Sequence, residues 1–475
     1  MTKAGTKKNY FYTIVKEAID VAVPLILVPY SSRILGADGI GQYSYVYSIV
    51  YYFMIVSMLG LNNYGTREIA KSKGLERQKK VFGEIYALQL ASCAIMTLIF
   101  GAIAFSPGNN YRLVFMAQLA YVLSCFFDVA WFFMGIEKFR IIAACNALAK
   151  VVSLVLALVF VKEPNDLVIY CTILSGCVLL GNIALWAFMK RKIGWRISQL
   201  DFTKIKAHFK PCLILFIPII AMKIYKVMDK TTLGVLSTMD EVGYYSNADS
   251  IVNVPMGIVI ALGLVMLPRL TNLLSEKSHD EAKRLFRASL EFGVFIIVPI
   301  MLGLIVLGPS IAILFLGNDF ARTGSLLQII AITMLFMTVA NIIRTQILIP
   351  RGMDKEFSKS VIIGAIVNLI GNFILIPVLN ANGACISTIL AEFLVMAMSI
   401  YYARSDVDLK FLVKKIMFAL LSGSVMAVIV FVMSQNMMLS WANLLIQVGV
   451  GAMIYFALNF EYISTAFQRS LLKAK

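Results

Sequence analysis

Charge is scarce in this 475-residue chain: 15% of its residues are Asp, Glu, Lys or Arg, and 60% are apolar. A soluble domain carries charge on roughly a quarter of its residues, so a soluble enzyme or binding module is not compatible with this composition. Histidine is scarcer still: there are two, His208 and His279, both in polar connections. The seven cysteines (93, 125, 145, 171, 177, 212 and 385) are irregularly spaced within apolar runs. They make neither a disulfide framework nor a metal-ligand pattern, and they read as small core residues. No GxxxxGK[ST] loop is present to cradle nucleotide phosphates, so ATP hydrolysis by this chain is not expected. No nucleophile with its base and orienting partner is evident, and no connection is long enough to hold a soluble domain. The expectation is a transporter and not an enzyme, with no cofactor and no metal.

What the chain has in abundance is apolar runs of roughly twenty residues, the length a helix needs to cross a bilayer. Transmembrane barrels alternate in short segments, and nothing here does. The fold class is therefore an all-α integral membrane protein. About fourteen transmembrane helices can be drawn, the first near 10–35 and the last near 441–460. The start, MTKAGTKKNYFYTIVKEAID, is basic but has no short apolar core with a cleavage site, and reads as an uncleaved first span. The net charge of +17 does not mark a nucleic-acid protein. Most of the 43 Lys and Arg fall in the two tails and the even-numbered connections, and the odd-numbered connections hold only Arg33, Arg112, Lys162 and Arg322. This asymmetry predicts that both termini are cytoplasmic.

The chain repeats itself. Ile40-Gly41-Gln42-Tyr43-Ser44 is echoed by Val242-Gly243-Tyr244-Tyr245-Ser246, and Ser48-Ile49-Val50 by Ser250-Ile251-Val252, at a constant offset of 202; Arg67 and Arg269 keep it. Gly135-Ile136-Glu137-Lys138 is echoed by Gly352-Met353-Asp354-Lys355. The expected organisation is an N-terminal lobe of spans 1–6 (residues 1–189), a cytoplasmic amphipathic linker (190–210), a C-terminal lobe of spans 7–12 (211–403), and two further spans with a tail (404–475). Spans six apart keep the same direction, so the two six-helix repeats form a two-lobed transporter, and transporters built this way place the substrate between the halves. The linker KRKIGWRISQLDFTKIKAHFK mixes bases with Trp195, Ile197, Leu200, Phe202, Ile205 and Phe209, as expected of a segment lying on the inner leaflet. Ser278-His279-Asp280-Glu281 has a capping-box pattern ahead of a basic helix.

Three stretches, PYSSRILGADGIGQYSY (29–45), GLNNYGTREIAK (60–71) and GIEKFR (135–140), resemble the polysaccharide transport family, the Wzx-type flippases of lipid-linked oligosaccharides. That family belongs to the MOP superfamily, with the MATE drug exporters and the MurJ-type lipid II flippases. The resemblance covers essentially the whole chain. It implies movement of an undecaprenyl-pyrophosphate-linked oligosaccharide repeat unit of an O-antigen, capsule or exopolysaccharide. The unit would pass from the inner to the outer leaflet of a bacterial cytoplasmic membrane by alternating access. The implied partners are this polyprenyl-pyrophosphate-linked glycan and membrane lipids, with H+ or Na+ as candidate coupling ion and a polysaccharide polymerase as candidate protein partner.

An ionisable side chain at the bilayer centre costs about 2.5–3.5 kcal/mol on insertion scales, so each one asks for an explanation. Span 7 is densest. Lys223, Lys226 and Lys230 are spaced i, i+3, i+7 and share one helical face, with Asp229 as the nearby counter-charge. Surplus positive charge suits an anionic ligand such as a pyrophosphate. The bland reading has Lys230 snorkelling and Asp229 neutralising Lys226. Span 1, its counterpart, carries Lys16, Glu17 and Asp20; Lys16 and Asp20 either pair within the helix, or Lys16 joins the cationic site while an acid titrates. Asp128, Lys150, Arg344 and Glu392 stand alone in their spans, as inter-helix ion pairs or cavity residues. Arg33 and Asp38 are a candidate outer gate, latched by a salt bridge. Pro24, Pro29 and Pro218 are candidate hinges.

Three other classes compete. A MATE-like ion-coupled exporter of small organic cations would need surplus carboxylate, whereas span 7 has three Lys to one Asp. A membrane-bound polymerase or glycosyltransferase would need a large outer loop with catalytic side chains. A non-transporting scaffold would not need an intramembrane cationic face.

Overall fold

The computed structural model describes residues 3–196, 199–276 and 278–460; within its helices the side chains of 3–18, 20, 21, 215, 217–219, 221 and 222 lie outside the description. Lys16, Glu17, Asp20 and Pro218 fall in that last group. The described residues form sixteen α-helices, short 3-10 turns and one π-helical stretch, with no strand among them. Ten helices are long and apolar enough to cross a membrane, or eleven if a bent pair counts as one.

The difference from fourteen can be placed span by span. Spans 1 and 2 run together through α1 (Lys3–Met58). Span 4 is split into α4 (Arg112–Ser124) and α5 (Ala130–Gly135). Span 7 lies in α8 (Ile205–Leu236), several of whose side chains are outside the description. Span 10 is the bent pair, Asn318–Ile330 and Thr333–Leu348, at 49°.

Within α1 helical dihedrals are lost only at Gly36 (φ 69°, ψ −179°), not at Pro24 or Pro29. A side chain would clash at that φ, so glycine makes the break and the prolines ride inside regular helix. The candidate hinges Pro24 and Pro29 keep helical dihedrals.

The chain forms two compact units, residues 1–243 and 244–475. In the first, α3 (Leu75–Ala104) packs on α4, α4 packs on α7 (Leu167–Ile193), and α6 (Phe139–Phe160) packs on α7. In the second, α10 (His279–Leu316) packs on α12 (Thr333–Ile343), α12 on α14 (Ala381–Tyr402), and α13 (Asp354–Leu379) on α14. These three pairings follow the same order in both units. The two added spans, α15 (Leu409–Asn436) and α16 (Trp441–Leu458), pack on α10. The helix α8 packs on α1, α2 (Leu61–Lys71) and α3, within the first unit.

The core of the first unit is an aromatic cluster. Phe82 stacks on Trp131 (5.2 Å between centroids), and Trp195 meets Phe82 and Tyr86 edge-on at 5.3 and 5.6 Å. Trp195 is 1% exposed, so this linker residue is a core residue and not a lipid-facing one. The linker is also shorter than its composition suggests, because α7 extends to Ile193 and α8 begins at Ile205. Between them Asp201 accepts from the Thr203 hydroxyl and backbone N–H, which hold its carboxyl below the usual range. The two other family-like stretches clasp each other. A Cβ on Gly65 would lie 2.5 Å from the Trp131 ring, and one on Gly135 would lie 2.7 Å from Ile69. Thr66 donates to the Trp131 carbonyl (3.2 Å). In the second unit, Ser278 makes no side-chain cap, and the basic segment is the first part of the 38-residue α10. All seven cysteines are buried.

Candidate functional site

The expected cationic face lies on the part of α8 that packs against α1. A Cβ on Gly234 would fall 2.0 Å from the Tyr45 ring, so the two helices touch backbone to ring. Just below, Thr231 Oγ1 hydrogen-bonds Ser48 Oγ (2.7 Å) and Tyr52 Oη (2.9 Å). Lys223 is half-buried with its Nζ 5.9 Å from the Tyr51 ring centroid, a cation–π contact. Lys226 is exposed, Lys230 is half-buried and partnered, and Asp229 is buried, partnered and close enough to Tyr52 to act on it electrostatically. The three lysines therefore sit in three different environments.

Lys223 also lies within electrostatic reach of Asp128. Asp128 occupies the break in span 4, where residues 125–129 leave helical geometry between α4 and α5. Unwound backbone inside a membrane protein needs internal partners. Gln89 supplies them: its Nε2 donates to the carbonyls of Cys125 (2.7 Å) and Asp128 (2.9 Å), and its Oε1 accepts from Trp131 Nε1 (3.0 Å). The Asp128 carboxylate caps α5 by accepting from Ala130 N (3.1 Å). The break thus holds a carboxylate near the Lys223 ammonium. The fourth span of the other repeat is irregular at the matching place, where Arg344–Leu348 is π-helical.

The remaining expected residues lie elsewhere. Lys150 is half-buried and partnered, and it lines a groove of about 230 Å³ between α6 and α7 with Asn146, Ser153 and Asn182. Arg344 sits over the Phe357 ring at 5.0 Å, and Glu392 is 9% exposed and partnered on α14. Of the candidate gate pair, Asp38 accepts from Gln42 Nε2 (2.6 Å), one turn on, and the break at Gly36 lies between it and Arg33.

What Asp38 faces is its own repeat. A Cβ on Gly41 would lie 1.8 Å from the Met239 carbonyl oxygen, and one on Gly243 would lie 2.1 Å from the Ala37 carbonyl oxygen. Residues 37, 38 and 41 match 239, 240 and 243 at the 202 offset, so the contact is reciprocal. The charge of Asp38 acts on Asp240, as does that of Glu241.

Two arrangements escaped the sequence reading. Tyr43, Tyr47 and Tyr51 form a ladder along α1, with successive centroids 5.8 and 6.1 Å apart, buttressed by Tyr170 on Tyr43 and Tyr121 on Tyr47, each at 5.2 Å. It runs from the Gly41–Met239 contact to Lys223, and its signal was the i, i+4, i+8 spacing. The other is a relay. His208 Nδ1 hydrogen-bonds Tyr64 Oη (2.7 Å) and its Nε2 meets Glu84 Oε2 (3.1 Å). It ties α2, α3 and the start of α8 together, and no local spacing announces it.

This multi-pass helical architecture is that of known transporters. It superposes on "Lipid II flippase MurJ, inward closed conformation" with a TM-score of 0.78 at 15% identity, covering 98% of this chain and 99% of that one. It superposes on an inward-facing multidrug resistance MATE family transporter of the MOP superfamily at 0.65 and 13%, covering 84% and 96%. In sequence it is 25% identical over 393 residues to a putative O-antigen transporter of Shigella dysenteriae, 82% of this chain and 98% of that protein. Residues 6–274 match the model of the polysaccharide biosynthesis protein family, and the chain belongs to that family.

Proposed function

We propose that this protein is a flippase that carries a lipid-linked oligosaccharide, an undecaprenyl-pyrophosphate-linked repeat unit, across a bacterial cytoplasmic membrane by alternating access. The observation that carries the reading is the end-to-end similarity to a putative O-antigen transporter within this family. The MurJ-like fold supports it, since that protein is a lipid II flippase. Lys223, Lys226 and Lys230 bind the pyrophosphate, Lys16 contributes from span 1, and Asp128 sets the charge of Lys223 before substrate arrives. Phosphate oxygens compete with the field of Asp128 for the ammonium, and a cation held over a ring face is free to change partners. Both termini lie in the cytoplasm, a proton or sodium ion supplies the coupling, and a polymerase consumes the product.

A MATE-like exporter of small molecules is the second reading. The lower TM-score of 0.65 and the lysine-rich α8 favour it less. The test is complementation of a strain lacking the gene, with surface glycan and lipid-linked intermediates measured together. The flippase reading expects loss of surface glycan with build-up of complete lipid-linked units. Normal surface glycan in the deletion would sink it.

A further inference from the structure

The second unit holds a pocket that the transport reading leaves unused. It lies among the end of α9 (Met239–Ser275), the start of α10, the π-helical stretch with Arg351 just beyond it, and the connection between α14 and α15 that holds Asp406. Its apolar walls are Leu270, Leu274 and Phe286, with Lys283 and His279 on the rim. Its floor is Gln346, in the π-helical stretch Arg344–Leu348.

Gln346 is 2% exposed, and neither its amide nitrogen nor its amide oxygen has a hydrogen-bond partner. A buried amide left unsatisfied on both atoms is costly, and native proteins rarely keep one without a ligand or water to meet it. Gln346 lies within the π-helical stretch, and such stretches recur at functional sites. The cavity is about 30 Å³, room for one or two waters or one compact tetrahedral group. The rim selects between these. His279 and Lys283 lie on the first two turns of α10, where the helix dipole favours an anion. Lys283 is exposed and pairs with no carboxylate among the described residues. Arg351 is committed to Asp406, which fixes the wall and leaves Lys283 as the available cation.

We propose that this pocket binds a phosphate group, with Gln346 Nε2 and Lys283 Nζ donating to its oxygens. The phosphate belongs either to an anionic lipid headgroup, whose chains the apolar walls would accept, or to a free phosphate compound. The site is separate from α8 and is occupied whether or not a glycan is being moved.

The test is thermal unfolding of the full-length protein in nanodiscs. One arm uses phosphatidylcholine discs titrated with inorganic phosphate against sodium chloride of equal ionic strength. The other replaces part of the phosphatidylcholine with phosphatidylglycerol. The proposal expects Tm to rise saturably in one arm, which names the source. Lys283→Gln, a rim change that leaves folding untouched, should weaken the apparent affinity about tenfold. Gln346→Leu should abolish the response. No rise in either arm, or an equal rise in both variants, would overturn it and leave a buried water as the partner of Gln346.

Discussion

Gly41 and Met239 touch so closely that a Cβ on the glycine would sit 1.8 Å from the methionine's carbonyl oxygen, and Gly243 repeats the contact against Ala37 at 2.1 Å. An inserted methyl cannot be absorbed by a side-chain rotation, because backbone stands in its way. Gly41→Ala and Gly243→Ala should each cost about 1–3 kcal/mol through overpacking. The helical Gly101, which has open space around it, is the control. Gly101→Ala should be neutral or stabilise by up to ~1 kcal/mol on propensity alone. Thermal unfolding of the purified variants reads both.

The same contact brings two repeat-equivalent carboxylates together. Asp38 and Asp240 repel when both are ionised, with Glu241 adding to the effect. Burial first, then the charges of Asp38 and Glu241, raise the Asp240 carboxyl above its usual range, so its protonation removes the repulsion as pH falls; the contact tightens there and loosens as pH rises through the raised titration. Asp240→Asn should mimic the acid state at neutral pH and flatten the dependence. Crosslinking of cysteines introduced on the two segments, followed from pH 4 to 7.5, measures it. An unchanged profile in the variant would remove these residues from the account.

Gln89 is the one side chain that satisfies two carbonyls of the span 4 break and the Trp131 N–H. Gln89→Leu leaves three buried groups unpaired, at about 1–3 kcal/mol each. The expected result is a large drop in Tm, with loss of glycan export following from a displaced Asp128. Export that persists at a lowered Tm would separate the break from transport.

The relay from Tyr64 through His208 to Glu84 fixes the start of α8. A double-mutant cycle with His208→Phe and Glu84→Gln should give a coupling of about 0.5–3 kcal/mol, as expected of residues in one network. Additive effects would mean that the hydrogen bonds carry no joint stability.

The helical membrane fold, the two repeats and the family were legible in composition, in the 202 offset and in three short stretches. Legibility failed where backbone departs from regular helix. The loss of helical dihedrals in α1 falls at Gly36, which the spacing did not single out, because a positive φ needs glycine. Span 4 read as one apolar run, since hydropathy does not register a backbone break that Gln89 repairs from 36 residues away. The Trp195 side chain looked interfacial because its neighbours are basic; its burial depends on Phe82 and Tyr86, which tertiary packing alone brings near. The lysines of α8 were found by spacing, but their unequal environments depend on Tyr51, Tyr52 and Asp128, which spacing cannot report.

The central claim is that the α8 lysines hold the pyrophosphate of a lipid-linked glycan during its passage. The most direct measurement is the leaflet in which that glycan resides. Spheroplasts of a strain lacking the gene and its downstream polymerase, carrying the wild type or the Lys223→Ala/Lys226→Ala variant at equal protein level, are treated with a membrane-impermeant glycan-labelling reagent. The account predicts lipid-linked units labelled from outside with the wild type, and protected with the variant as in the deletion. Equal labelling with wild type and variant would contradict it.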